Sequence, residues 1–234
     1  MKQPKLTIII PAFNEKKTLP ILLDKIIKQK FSKQIIVVDD NSSDGTRGII
    51  KKYKKKINKI VFHKQNLGKG AAIKSAKRFV KGKYVIIQDA DLEYDPSDYG
   101  ILLEEITKNK NKVVYGSRVL KKKKFKKIQN FSHRIRIYGN IFLTIFSNIL
   151  NKQKLTDAHT CYKMFNTKVF SSLDLNENGF SFCPEVNTKL SLKKIQIKEV
   201  PINYKGRTYK EGKKIVALDG IRAITTLIKY RFFK

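Results

Sequence analysis

The sequence predicts an α/β protein with one main domain, in which a mostly parallel central sheet is flanked by helices. Two observations support this fold class. Short apolar runs, typical of buried strands, alternate with segments in which apolar residues recur every three or four positions, as on one face of a helix. In addition, polar clusters directly follow several strands, and doubly wound sheets bind ligands beyond the carboxyl ends of their strands.

The first half of the chain supplies four predicted strands, each followed by a polar loop or a helical pattern. They are residues 6–10, 34–38, 60–62 and 85–87. The first helical pattern is the clearest, because Leu19, Leu22 and Ile26 share one helical face. Strands separated by helices of this length indicate parallel pairing with right-handed crossovers.

The second half continues with a helix around residues 99–106 and strands at residues 112–115 and 197–204. Pro201 predicts an edge position for the last strand, because proline cannot donate a hydrogen bond to a neighbour. The terminal apolar residues Leu218, Ile221 and Ile228 alternate with basic ones, which predicts an amphipathic helix. We therefore divide the chain into a main domain, residues 1–212, and a basic C-terminal helix, residues 213–234, suited to a membrane interface or to the chain's own core.

The composition indicates a polyanionic partner. The chain contains 51 Lys and Arg against 19 Asp and Glu, a net charge of +32. Nucleic acid, anionic lipids and phosphorylated substrates are all compatible with that charge, and lysines scattered along the whole chain account for part of it. No helix-turn-helix, zinc or RNA-binding signature is present, so we do not expect nucleic acid as a partner.

Cysteines and the amino terminus indicate a cytoplasmic protein. Cys161 and Cys183 lack the spacing of a metal site or a disulfide framework. The first strand begins at Leu6 without a preceding signal-peptide apolar region, and no apolar run reaches the roughly 20 residues that cross a bilayer.

Three carboxylates follow the strand at residues 85–87. Asp89, Asp91 and Glu93 stand at alternate positions, which predicts that they share one side of an extended backbone. Grouped carboxylate oxygens suit Mg²⁺ or Mn²⁺, so these residues are candidate metal ligands. An acidic turn without a metal is the alternative.

Polar loops after other strands point to the same place. Asn14 and Glu15 follow the first strand, and Asp40 follows the second. Because the carboxyl ends of parallel strands meet at one edge of a sheet, we expect these side chains to lie near Asp89 and Asp91 around one ligand crevice.

Two neighbouring segments admit two interpretations each. Residues 121–127 form the densest basic run, suited to a solvated loop or to contact with phosphate or anionic lipid. Residues 137–150 carry no charge and suit a core helix or one lying in a membrane interface, and the basic flank favours the interface. His159, further along, fits a structural role as well as a catalytic one.

Taken together, these motifs resemble family-two glycosyltransferases, especially the branch of dolichyl-phosphate mannose synthase and bacterial polyprenyl-phosphate glycosyltransferases. The matching motifs occur in family order over nearly the whole chain. They are Pro11-Ala12-Phe13-Asn14-Glu15, Val37-Val38-Asp39-Asp40-Asn41-Ser42-Ser43-Asp44-Gly45-Thr46, Asn66-Leu67-Gly68-Lys69-Gly70, Asp89-Ala90-Asp91, Gly116-Ser117-Arg118, Thr156-Asp157 and Glu199-Val200-Pro201-Ile202.

The resemblance implies a GT-A-type, Rossmann-like domain and a nucleotide-sugar site. Residues implied to bind the nucleotide sugar are Pro11, Ala12, Phe13, Glu15, Val38, Asp40, Lys69, Asp89, Ala90, Arg118, Arg207 and Lys213. Asp89, Asp91 and Glu93 would coordinate Mg²⁺ or Mn²⁺ across the diphosphate, and Asp91 and Asp157 are the implied catalytic residues.

The implied reaction is inverting, metal-dependent transfer of a hexose from a GDP- or UDP-sugar to a polyprenyl phosphate, at the inner face of the membrane through peripheral contact with anionic lipid. A saccharide hydroxyl acceptor is the alternative, and it needs a general base, for which Asp157 is the family-matched position. A phosphate acceptor is already an oxyanion at neutral pH, so Asp157 would then orient rather than deprotonate. A basic nucleic-acid-binding protein is a remote third possibility.

Overall fold

A computed structural model describes residues 3–108, 111–120, 131–207 and 217–233. The strands are β1 (Leu6–Ala12), β2 (Lys33–Asp39), β3 (Lys59–Phe62), β4 (Tyr84–Ile87), β5 (Val113–Ser117), β6 (Lys163–Asn166) and β7 (Ile197–Pro201). The helices are α1 (Leu19–Ile27), α2 (Thr46–Lys52), α3 (Lys69–Lys77), α4 (Tyr99–Lys108), α5 (Phe131–Asn151), α6 (Thr167–Ser172), α7 (Phe182–Leu192) and α8 (Ala217–Phe232).

The described strands form one sheet in the order β3-β2-β1-β4-β6-β5-β7. The neighbours β1–β2, β1–β4, β2–β3 and β5–β7 run parallel. The predicted fold class, a mostly parallel sheet flanked by helices, is therefore confirmed. β7 lies at one end of this order, as Pro201 predicted.

The sheet separates two apolar clusters. Side chains alternate along each strand, so Ile8 and Ile10 face the cluster that contains α1 and α4, whereas Ile9 faces the cluster that contains α3 and α7. Because both faces of the sheet are covered, β1 reads as an almost continuous apolar run.

The antiparallel direction of β6 and its place in the sheet were not predicted from the sequence. It lies between β4 and β5 and runs antiparallel to both. A strand that runs antiparallel to its neighbours begins at the edge of the sheet where those neighbours end. The segment that precedes Lys163, which includes Asp157, His159 and Cys161, is thereby brought to the ligand-binding edge of the sheet.

The C-terminal helix packs on the protein itself. Leu227 and Tyr230 of α8 are buried, and α8 contacts α5 and α7. Of the two predicted uses of this helix, its apolar face therefore serves the core, while Leu218 and Ile221 remain exposed.

Helix α5 contains the predicted uncharged segment, residues 137–150, and it is amphipathic. Its exposed apolar side chains recur every three or four residues and so form one stripe, made of Tyr138, Phe142, Ile145 and Ile149. Within the ranges that the structure describes, no helix is both long and apolar enough to cross a membrane. The basic run at residues 121–127 and Lys213 lie outside the described residues.

Candidate active site

A cavity of about 350 Å³ opens at the carboxyl ends of β1, β2 and β4 and beside the segment that leads into β6. The residues that line it are Pro11, Ala12, Phe13, Glu15, Asp40, Asn66, Gly68, Lys69, Ala72, Asp89, Ala90, Asp91, Glu93, Tyr94, Arg118, His159, Cys161, Phe180, Tyr204 and Arg207.

Most of the predicted site residues lie in this wall. Three do not belong to the described lining. Val38 is fully buried in the core, Asp157 is buried behind Arg118, and Lys213 is outside the described residues. Sequence motifs far apart in the chain are thus brought to one cavity, as the positions of the strand ends predicted.

The acidic segment reaches the cavity through a turn rather than through extended backbone. β4 ends at Ile87, and Leu92 has a φ of +61°, in the left-handed region. The expectation that alternation along an extended strand aligns Asp89, Asp91 and Glu93 was therefore wrong. The turn nevertheless directs all three residues to the cavity, and the Glu93 amide donates a 3.0 Å hydrogen bond to Asp91 Oδ1.

Lys69 neutralises the first of these carboxylates. Its Nζ forms an ion pair with Asp89 and lies 2.9 Å from the sulfur of Cys161. The neighbouring glycine explains how Lys69 is placed. Gly68 has a φ of +94°, and a Cβ on it would lie 2.6 Å from the carbonyl oxygen of Asn178. A side chain at Gly68 would therefore displace the loop that carries Lys69.

Arg207 neutralises the second carboxylate and ties a distant segment to it. Its guanidinium nitrogens lie 3.1 Å from both carboxylate oxygens of Glu15 and 3.2 Å from Asp91 Oδ2. Its backbone amide donates a 2.7 Å hydrogen bond to Glu93, which also accepts from Tyr204 at 2.8 Å. Among the described residues the Nε of Arg207 is buried without a hydrogen-bond partner, so one donor remains for a ligand.

The negative charge around Asp91 is only partly balanced by the positive charge of Arg207. Burial raises the pKa of Asp91 to about 7, and the adjacent carboxylates of Asp89 and Glu93 act in the same direction against Arg207. A divalent cation would relieve this repulsion, and carboxylate oxygens are the ligands that Mg²⁺ and Mn²⁺ prefer. The donor set of Asp89 and Asp91 therefore fits such a cation.

The structure does not present a finished three-carboxylate metal site. In the described part of the chain, no group of three or more His, Cys, Asp or Glu side chains is arranged to hold a metal ion. Glu93 is instead bonded to Tyr204 and to the backbone of Arg207. Magnesium commonly takes one or two protein carboxylates and completes its shell with water and substrate phosphates. Two aspartates therefore suffice for the predicted role.

Asp40 organises the loop that carries Lys69. Its carboxylate accepts hydrogen bonds from the backbone amides of Leu67 and Gly68, at 2.9 and 2.7 Å, and lies 2.7 Å from His63 Nδ1. The other ring nitrogen of His63 lies 2.9 Å from the hydroxyl of Ser75 on α3. Asp40 therefore lines the cavity and also fixes the turn that begins α3.

Asp157 forms a closed pair with Arg118. Two guanidinium nitrogens of Arg118 each lie 2.7 Å from a carboxylate oxygen of Asp157, and the Arg118 amide donates a third bond at 3.1 Å. Although burial alone would raise it, the pKa of Asp157 is lowered to about 2, mainly by the charge and the hydrogen bonds of Arg118. A carboxylate this acidic is a weak general base near neutral pH, so the geometry favours an orienting role.

Sequence reasoning did not find several residues of the wall. Tyr94, Phe180 and Tyr204 come from three separate segments and carry no motif in the sequence. Asn66 and Gly68 stand in the quoted motif around Lys69, which was the available signal for them. Cys161 was not among the predicted site residues, yet it lines the cavity next to Lys69.

The fold defines a structural class. Its mostly parallel sheet flanked by helices is shared with solved glycosyltransferases of the GT-A fold, which superpose on this chain. Glucosyl-3-phosphoglycerate synthase from Mycobacterium tuberculosis, solved with Mn²⁺, UDP and glucosyl-3-phosphoglycerate, matches with a TM-score of 0.68 at 17% identity, over 97% of this chain and 80% of that one. At this identity the likeness concerns the fold.

The family follows from the sequence comparison. The model described as Glycosyl transferase family 2 matches residues 7–174, more than half of the chain, and the chain belongs to that family. A dolichyl-phosphate beta-glucosyltransferase of Trichomonas vaginalis is 30% identical over 86% of this chain and 66% of its own length. The human dolichyl-phosphate beta-glucosyltransferase is 27% identical over 91% of this chain and 70% of its own. The family predicted from the motifs is confirmed.

Proposed function

We propose that this protein is a hexosyltransferase that moves a hexose from a nucleotide sugar to a polyprenyl phosphate with the aid of Mg²⁺ or Mn²⁺. The observation that carries the proposal is the mixed charge of the cavity. Carboxylates of Asp89 and Asp91 face it together with Lys69, Arg118 and Arg207. A diphosphate bound through a divalent cation needs this combination, because the carboxylates hold the cation and the basic groups meet the phosphate oxygens.

The donor would lie across the carboxyl edge of the sheet. Phe13 on the β1 side and Asp40 after β2 would bind the nucleoside, and Asp89 and Asp91 after β4 would hold the metal. When bound, the metal stabilises the negative charge that develops on the departing nucleoside diphosphate. Lys69 and Arg207 are already in contact with these carboxylates, so they are positioned to add charge stabilisation at the same diphosphate.

The pairing of Asp157 favours a phosphate acceptor over a sugar hydroxyl. A hydroxyl needs a base to remove its proton, and Asp157 is bound to Arg118 with a pKa of about 2. A phosphate monoester, with a second pKa of about 6, attacks as an oxyanion. Its oxygen would form a bond to the anomeric carbon while the bond from that carbon to the diphosphate breaks, and the diphosphate leaves with the electron pair. Attack from the opposite face inverts the anomeric centre.

The named relatives support a lipid phosphate and suggest the first sugar to test. The two relatives described above are dolichyl-phosphate beta-glucosyltransferases. Glucose is therefore the first hexose to examine, with both UDP and GDP as the carrier.

A polyprenyl-phosphate acceptor also calls for contact with a membrane. The apolar stripe of α5 leaves Phe142 57% and Ile149 70% exposed. Apolar side chains of this kind, on a protein of charge +32, suit the interface of an anionic membrane. We therefore extend the proposal to peripheral binding through α5 at the inner face of the membrane.

The reaction is tested by release of nucleoside diphosphate. Purified protein is incubated with UDP- or GDP-glucose and other sugar nucleotides, with Mg²⁺ or Mn²⁺, and with or without a short polyprenyl phosphate. We expect release that requires both the metal and the lipid phosphate, with radioactive sugar entering the organic phase. Transfer to a saccharide instead would contradict the acceptor, and failure of every donor to bind would contradict the whole proposal.

Membrane binding is tested by sedimentation with vesicles of phosphatidylcholine alone or with added phosphatidylserine. Replacing both Phe142 and Ile145 by Ser should weaken binding to the anionic vesicles by about tenfold or more, because each apolar side chain loses its transfer into the interface. The matched control is Ile21→Ser, on α1, where the side chain is 51% exposed. Equal weakening by the control would exclude the stripe as the contact.

A further inference from the structure

His159 places a buried hydrogen-bond acceptor in the wall of the cavity. His159 lines the same cavity as Arg118 and Cys161, and in the described part of the chain its Nε2 atom is buried without a hydrogen-bond partner. Buried polar atoms are nearly always satisfied, so an orphaned one at a ligand cavity indicates a group that only a ligand or water supplies.

The protonation of the ring follows from its other contact. A backbone hydrogen bond links the imidazole to Leu143. Because Nε2 has no partner, Nδ1 makes this bond, and it must carry the hydrogen in order to donate to a carbonyl. Burial lowers the pKa of His159 to about 4, with Lys163 and Arg118 acting in the same direction against Asp157. The ring is therefore neutral near pH 7, and Nε2 offers a lone pair.

A lone pair accepts a hydrogen bond only from a group that carries a hydrogen. Fully ionised phosphates carry none, so neither the diphosphate of the donor nor a dianionic lipid phosphate satisfies Nε2. Hydroxyl groups of a hexose do carry one, and so do the ribose hydroxyls and the base of the nucleotide. The chemistry of the atom therefore selects the sugar or the nucleoside among the parts of the proposed substrates.

The order of the strands decides between the sugar and the nucleoside. Asp40 follows β2, the aspartates follow β4, and His159 lies in the segment that leads into β6. In the sheet, β1 and β4 separate β2 from β6. A donor with its nucleoside over β1 and β2 and its diphosphate at β4 extends its sugar toward β6, where His159 lies.

We infer that Nε2 of His159 accepts a hydrogen bond from one hydroxyl group of the transferred hexose and so helps to select the sugar. This inference rests on the proposed function, because it takes the donor to be a nucleotide sugar and the acceptor to be a phosphate. It makes His159 a specificity-determining residue that touches the substrate.

The test compares the preferred donor with its 2-, 3-, 4- and 6-deoxy analogues. In the wild-type protein, kcat/KM should fall at least about tenfold for one analogue, because a site built around a substrate hydroxyl is left unpaired without it. His159→Phe keeps a ring but lacks the acceptor. In this variant, kcat/KM for the natural donor should fall to about the value for that analogue, so the difference in kcat/KM between the two donors should nearly disappear. His159→Gln, whose amide oxygen can accept, should retain part of the gap.

Two controls separate the possible failures. Affinity for the free nucleoside diphosphate should be unchanged in His159→Phe, which shows that the variant is folded; if it does not fold, His159→Leu replaces it. Absence of turnover by the wild type with every donor and lipid phosphate would overturn the proposed function itself. Turnover in which no analogue is slower, or in which the gap survives in His159→Phe, would overturn the role of His159 alone.

Discussion

Asp91 and Asp157 lie at the same edge of the sheet, and each has an arginine partner, yet their environments act in opposite directions. Arg207 contacts Asp91 through one hydrogen bond of 3.2 Å, while Arg118 contacts Asp157 through two hydrogen bonds of 2.7 Å. Accordingly, the pKa of Asp91 is raised to about 7 and that of Asp157 is lowered to about 2.

The difference lies in how many carboxylates share each cation. Arg207 is divided between Asp91 and Glu15, and Asp91 also lies near two further carboxylates. Arg118 serves Asp157 as its ion-pair partner, with the amide of Asn140 adding a weaker contact at 3.4 Å. The carboxylates around Asp91 outnumber their cationic partners and so favour a further cation, whereas the charge of Asp157 is already balanced by Arg118. We therefore interpret Asp91 as part of the chemical site and Asp157 as the support that orients Arg118.

Replacing Asp91 by Asn should separate these roles most strongly. We expect release of nucleoside diphosphate to fall by about 10³-fold, which corresponds to about 4 kcal/mol of activation free energy, because a ligand to the proposed metal is lost. The melting temperature should stay the same or rise, since a buried charge among like charges is removed. Activity is measured with saturating donor, and stability by thermal unfolding without donor.

The control for this prediction is Asp95→Asn, in the same acidic segment. Asp95 pairs with Lys25 at the surface, at 37% exposure, and does not line the described cavity. Its replacement should leave activity within about twofold, because surface ion pairs contribute little. Asp91→Asn with normal activity would remove Asp91 from the chemical site.

Asp157→Asn should instead act on stability. It leaves the buried charge of Arg118 without its partner, so the free energy of unfolding at pH 7 should fall by about 3 kcal/mol. The pKa of Asp157 is lower in the folded chain than the ordinary 3.8, so its stabilising effect is present above pH 4. That effect is lost as the pH falls toward 2. The difference in the free energy of unfolding between Asp157→Asn and the wild type should therefore shrink between pH 4 and pH 2.

Urea unfolding at several pH values measures this difference. Glu104→Gln is the matched control, since it also breaks an ion pair, with Lys108, but on the exposed surface of α4. It should cause no measurable change at pH 7. Unchanged stability of Asp157→Asn at pH 7 would contradict the role of Asp157 as the buried support of Arg118.

The contrast between the two aspartates shows where sequence reasoning reached its limit. The sheet, the cavity edge and the gathering of Glu15, Asp40 and Asp89 follow from local periodicity and from the rule for parallel strand ends, so they were predictable. The pairing of Arg207 with Glu15 spans 192 positions, and that of Arg118 with Asp157 spans 39. No local pattern encodes such contacts.

The strand β6 is the clearest case of this limit. Lys163–Asn166 is four residues long, and nothing in its composition fixes its direction or its place between β4 and β5. That placement depends on packing of Met164 and Phe165 against opposite faces of the sheet. Because β6 brings His159 and Cys161 to the cavity, the half of the site nearest β6 could not be predicted in detail.

Replacing each arginine by lysine, which conserves the charge, has the smallest expected effect of these predictions and tests the same comparison. Lysine keeps the charge but lacks the planar fork that binds both carboxylate oxygens. Arg118→Lys should therefore lower the free energy of unfolding by about 1–2 kcal/mol, the worth of a lost charge-assisted hydrogen bond in a buried pair. Arg207→Lys should lower it by less than about 1 kcal/mol, because its contacts at 3.1 and 3.2 Å are longer and are shared among carboxylates. Urea unfolding at pH 7 measures both variants, and equal losses would show that Arg207 is held as tightly as Arg118 and that the site near Asp91 is as complete as the pair at Asp157.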